Sequence, residues 1–186
     1  MNSSIGKEYL STIISRLKYY KDLAERTFSQ LEEKDFHFIP AEESNSISVI
    51  IQHMSGNMVS RFTNFLTEDG EKEWRHRDTE FFENSYSYKE LLEVWEKGWT
   101  CFFDALNNLK EDDLIKTIYI RKEPISVIDA INRQLAHHSY HIGQIVYLGR
   151  MIKMDKWVSL SIPKGQSDNF NKSNSIKDPS RNFKNS

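Results

Sequence analysis

The chain is 186 residues long, with 38% hydrophobic and 28% charged side chains, and its 25 basic against 27 acidic residues leave a net charge of −2. One domain is expected at this length, and a balanced charge with a pI near 6.3 supplies no basic field for coating nucleic acid. A mean hydropathy of −0.63, without an apolar run approaching about 18 residues, gives no membrane span.

With 7 glycines and 4 prolines to interrupt it, the chain favours long helices over many short strands. In residues 4–33, Ile5, Tyr9, Ile13, Leu17, Tyr20, Ala24, Phe28 and Leu31 recur every third or fourth position, which predicts one amphipathic helix. The N-terminal residues also lack the basic start and apolar stretch of a secretory signal, so a cytoplasmic location is expected. After Pro40 breaks the pattern, Ser46 is a suitable N-cap for a second helix over residues 47–66. Its inward set is Val49, Ile50, His53, Met54, Met58, Phe62 and Phe65, so a histidine stands among the apolar positions. Residues 67–78 are too charged and aperiodic to bury much except Trp74, and read as a long connection.

Ser87 followed by Glu90 is a capping-box signature. It opens a third helix to about residue 109, with Leu91, Leu92, Trp95, Trp99, Phe102 and Leu106 inward and Cys101 near the same face as a buried, inert thiol. Residues 112–123 predict a short extended segment, and Ser126 with Asp129 opens a fourth helix over residues 127–152. Four long helices make the expected fold class all-α, an antiparallel four-helix bundle filling residues 1–165. Residues 166–186 are rich in Ser, Asn, Lys and Asp and predict a polar tail, poorly ordered or laid over the surface.

Six histidines and a single cysteine direct attention to nitrogen chemistry, since Cys101 alone forms neither an intramolecular disulfide nor a thiolate-rich metal site. His137 and His141 are four apart on the fourth helix and can face one ion. His138 and His141, three apart, can do the same. At about 100° per residue, His138 falls near the centre of the stripe of Ile131, Leu135, Ile142 and Ile145, and His137 toward its edge. The spacing alone leaves a buried core His138 and a ligand His138 both open. His53 is the natural third ligand, on another helix and facing inward; His37 and His76 are expected in solvent.

Four stretches in order carry a resemblance: residues 51–62 around Gln52-His53, the charged residues 69–78, His137-x-x-x-His141-Ile142-Gly143-Gln144, and residues 157–165. Together they resemble an uncharacterised bacterial branch of the DinB-like superfamily. The resemblance implies a bundle of up-down-down-up topology with a divalent metal, zinc or nickel, held by one histidine of the second helix and an HxxxH pair of the fourth. Those positions are His53, His137 and His141 here. It also implies a metal-dependent enzyme, foremost an S-transferase of low-molecular-weight thiols such as bacillithiol, with the thiol as cosubstrate. The alternatives are a metal-dependent hydrolase or a non-catalytic, metal-stabilised bundle acting in binding or stress response.

Asn57 and Arg61 follow His53 at one-turn intervals and can line the same groove to bind substrate, or simply bond neighbouring helices. Gln144 is expected to contact the ligands and not the ion. No catalytic base stands out. The expected partners are a small-molecule substrate and a second copy in a homodimer, with neither nucleic acid nor membrane. Residues 68–78 and 157–165 are the candidate contacts between copies.

Overall fold

The computed structural model describes residues 4–184. Among the described residues the fold is mostly helical, 63%, with five helices and one small two-stranded sheet. Helix α1 covers Ile5–Phe28, α2 Ile47–Phe62, α3 Tyr88–Asn107 and α4 Val127–Lys153. Each begins where the sequence supplies a hydroxyl cap: Ser4, Ser46, Ser87 and Ser126 accept from the amides of Lys7, Val49, Glu90 and Asp129. At α3 the box is reciprocal, because Glu90 also accepts from the Ser87 amide at 2.8 Å.

Helix α2 packs along α3, α1 packs along α4, and α2 also touches α4. Buried on nearly every face, α2 is the central element. Its apolar side meets an aromatic core in which Phe28 lies 5.2 Å from Trp95 and Trp95 lies 5.4 Å from Trp99, ring centre to ring centre. Both tryptophans are fully buried. Cys101 is half-buried, its Sγ 3.6 Å from Thr63 Oγ1.

The extended segment expected before α4 is a hairpin of β1, Thr117–Ile120, and β2, Glu123–Ser126, paired antiparallel with Ile118 opposite Ile125. Its turn residues Arg121 and Lys122 have φ of 56° and 65°, the left-handed region that disfavours a side chain. Asp69 offsets this cost by accepting both turn amides, at 2.8 and 2.7 Å. Burial acts to raise the Asp69 carboxyl, but these bonds and that of the Glu71 amide hold it below its usual range.

One expectation needs correction. In the charged connection Trp74 is 54% exposed, whereas Lys72 is buried and only 3% of the Arg75 side chain reaches solvent. The reason is pairing: Lys72 Nζ meets Glu68 and the Asp69 carbonyl, and Arg75 meets Glu80, so charge is buried in compensated form and the indole is left outside. The polar tail, in turn, contains a short helix α5, Ser167–Lys172, and a 3-10 turn, Pro179–Phe183, that packs on α1. Asp178 caps that turn and pairs with Arg16 at 3.1 Å, so the tail is laid over the surface with local structure of its own. Residues 157–165 start from a fixed point, since Gln30 at the end of α1 exchanges two hydrogen bonds with the Val158 backbone.

Candidate metal centre

His53 is carried by the middle of α2, and His137 and His141 by successive turns of α4. The helix contact brings one potential ligand atom from each to within 4.8 Å of the others. His53 and His141 are buried and His137 is half-buried. The Nε2 atoms of His53 and His137 are 3.2 Å apart, close to the edge of a tetrahedron built on metal–nitrogen bonds of about 2.0–2.1 Å.

The opposite ring nitrogens are fixed by hydrogen bonds. His53 Nδ1 is 3.0 Å from Glu80 Oε2, and His141 Nδ1 is 2.8 Å from Gln144 Oε1. Both partners are acceptors, so in each ring the proton resides on Nδ1 and the Nε2 lone pair is left for an ion. His137 Nδ1 is buried with no hydrogen-bond partner among the described residues. Burial, followed by the nearby positive groups, lowers His137 from 6.5 to about 3, and burial lowers His141 to about 4 against the opposing Gln144 bond. Converging imidazole nitrogens are a donor set that suits a divalent transition ion, and the three residues fit such an ion.

His138 does not join them. It is fully buried, 4.7 Å from Trp99 and 5.1 Å from Phe102 between ring centres, and its Nε2 is 3.1 Å from the Gln134 amide nitrogen. The same Gln134 nitrogen donates to Asn57 Oδ1 at 3.1 Å, which places Asn57 at the edge of the cluster. Arg61 is buried and sits 3.1 Å from Glu71. Of the remaining histidines, His76 is exposed, but His37 is not simply solvated: it lies 2.6 Å from Glu83 and 2.9 Å from the Tyr86 carbonyl.

Glu80 escaped sequence reasoning because it lies in a 3-10 turn, Arg77–Phe81, beyond the charged connection and 27 residues from His53. Arg75 grips it with Nε at 2.8 Å and Nη2 at 2.9 Å. Burial works to raise the Glu80 carboxyl, but the bonds from His53 and Arg75 prevail and keep it below the usual carboxylate value. The one available signal was Gly56, a glycine inside a helix. A Cβ there would fall 2.2 Å from Glu80 Oε1 and 2.7 Å from its Cδ, so the glycine makes room for the carboxylate. Gly56→Ala is therefore expected to displace Glu80, release His53 and weaken metal binding by about 10–100-fold, the usual cost of disturbing the partners of a ligand. Competition against a chromophoric chelator measures this; unchanged affinity would show that Glu80 does not orient His53.

The ion-free protein should also be acid-sensitive. Below about pH 6.5 an unfolded chain protonates its histidines while His137 and His141 in the fold stay neutral, so the unfolded state binds more protons and stability falls with pH. The loss runs from the unfolded value of 6.5 down through about 4 and about 3. Thermal melts of chelator-treated protein across this window should show a steady decline, and a flat profile contradicts the assignment of buried neutral rings.

Beside the cluster opens a cavity of about 200 Å³, lined by His53 and His137 together with Asn57, Phe62, Phe65 and Ile120. Fold and site thus define a helical protein with a three-histidine centre able to hold a metal ion next to a cavity. The chain belongs to the family described as Protein of unknown function (DUF1572), whose model matches residues 4–166. No curated protein and no solved structure matches it. No helix among the described residues is long and apolar enough to cross a membrane.

Proposed function

We propose that the chain is a metal-dependent enzyme of the DinB-like superfamily, an up-down-down-up four-helix bundle whose His53, His137 and His141 hold zinc or nickel. The observation that carries this reading is the convergence of three imidazoles beside a cavity. Glu80 does not close the centre, because it is engaged by Arg75 and by the far nitrogen of His53. A structural zinc is normally enclosed by four protein ligands, so an open side favours chemistry over a clip between helices.

An ion held there supplies positive charge that stabilises the deprotonated form of a bound thiol or water. The chain's own residues set the conditions for it. Glu80 and Gln144 hold two rings by their Nδ1 protons, and Arg75 keeps Glu80 ionised. With no internal thiol at the site, since Cys101 stands against Thr63, the sulfur of an S-transferase must come from a small cosubstrate. Thiol transfer is the leading activity and hydrolysis the alternative.

The test is an assay of the zinc- and nickel-loaded protein with low-molecular-weight thiols and a chromogenic aryl halide, beside ester hydrolysis without thiol. Metal-dependent thiol consumption that disappears in His53→Ala supports the transferase; hydrolysis without thiol transfers the proposal to the alternative. A metal-replete protein with neither activity and no exchangeable position on its ion would indicate a structural centre. The homodimer is proposed with it, and sedimentation at 22.0 kDa would contradict that part.

A further inference from the structure

The cavity beside the histidines carries an excess of positive charge that the metal reading does not use. Four arginines line it, Arg61, Arg77, Arg121 and Arg133, and no carboxylate does. One nearby acid is shared: Glu71 Oε2 is 3.1 Å from both Arg61 and Arg121. Its geometry toward Arg61 is poor, so the buried Arg61 Nη1 has no hydrogen-bond partner among the described residues. Arg77 has only Asp78 at 3.8 Å, a side chain 97% exposed, and otherwise rests on the Phe81 ring. Arg133 has no ion pair among the described residues, and its charge is felt at Arg61.

Holding like charges around one small space is costly unless a counter-charge enters it. The arginines come from four different elements, α2, the 77–81 turn, the hairpin turn and α4, and the Asp69 clasp on the hairpin turn is what fixes Arg121 there. Guanidinium groups are the side chains best shaped for oxyanions, because they offer paired N–H donors to paired oxygens. Asn57 adds to the same wall, its Oδ1 already bonded to Gln134.

We propose that this cavity binds the doubly charged oxyanion end of the substrate or cosubstrate, a phosphate monoester or a pair of carboxylates, and so places the rest of the molecule at the histidine centre. The proposal rests on the catalytic reading for its second half, while anion binding itself does not require the metal. Arg133, exposed and unpaired, is the residue through which a ligand gains most of its charge contact.

The experiment is calorimetric titration of the whole protein with inorganic phosphate and with succinate, each against chloride at equal ionic strength, in metal-loaded and chelated samples. Saturable binding of at least one dianion is expected, weakened about 10-fold by Arg133→Gln, in line with the loss of one charged hydrogen-bonding contact. Arg150→Gln, a surface arginine elsewhere on α4, is expected to bind as the parent does. Tighter phosphate identifies the monoester and tighter succinate the dicarboxylate. Because Arg133 is exposed, its variant should keep the parent's melting temperature and metal content. No saturable binding of either dianion, or equal losses in Arg133→Gln and Arg150→Gln, overturns the proposal. Anion binding that persists in a protein unable to hold metal would refute the metal reading and leave this one standing.

Discussion

His137→Ala is expected to lower metal affinity by more than about 100-fold, a larger loss than disturbing a ligand's partner produces, while His138→Ala retains the ion and loses stability instead. The two residues are adjacent, but α4 turns them toward different neighbours. His137 faces His53 across the α2 contact, at 3.2 Å between Nε2 atoms, and shares the cluster with His141. His138 points into the aromatic core, against Trp99 and Phe102, where burial keeps its ring neutral, well below its ordinary value. Truncating it empties a packed site and leaves the Gln134 amide short of one acceptor, a cost of about 2–4 kcal/mol by analogy with large-to-small core changes. Metal analysis of both purified variants, with melts of the ion-free forms, separates the effects. Metal loss in His138→Ala with retention in His137→Ala would reverse the assignment.

The second large effect is at Gly98, where helix propensity and packing predict opposite signs. A glycine inside α3 should cost up to about 1 kcal/mol relative to alanine, so local reasoning makes Gly98→Ala stabilising. In the fold a Cβ at that position would stand 2.7 Å from Met58 Cε and 2.8 Å from Ser55 Cα. The methionine methyl can move, but the Ser55 contact is backbone, so α2 and α3 would have to separate along the seam that carries the core. Ser55 Oγ also donates to the Val94 carbonyl at 2.7 Å, and separation strains that bond. Overpacking of this kind costs about 1–3 kcal/mol or more, which outweighs the propensity gain. A net destabilisation of about 2 kcal/mol is expected from denaturant melts; a stabilised variant would mean the helices are not in close contact there. Because α2 also carries His53, a lower metal affinity should accompany it.

These two cases show how far the linear pattern reaches. Helix positions were legible because their causes are local: a hydroxyl at Ser46, Ser87 and Ser126, and apolar residues at three- and four-residue spacing behind each. The first helix stops at Phe28, short of the predicted residue 33, because residues 33–37 form a separate 3-10 turn that buries Phe36 against Phe28. The candidate ligands were legible as residue types, since one cysteine and six histidines limit what can hold an ion. The connection after α2 was misread because its burial depends on partners: Arg75 is inside on account of Glu80 and Glu71, while Trp74 is left exposed.

The sequence by itself determined where the helices start, which faces are apolar and which nitrogens are available, all consequences of capping and of 3.6-residue periodicity within single segments. It did not determine which of His137 and His138 meets His53, because periodicity orients a side chain relative to its own helix and says nothing of what lies opposite. The tertiary structure decided that, together with the Glu80 support, the room left by Gly56 and the ring of arginines drawn from four elements. Each is a meeting of residues far apart in the chain, and such meetings exist only once the helices have packed.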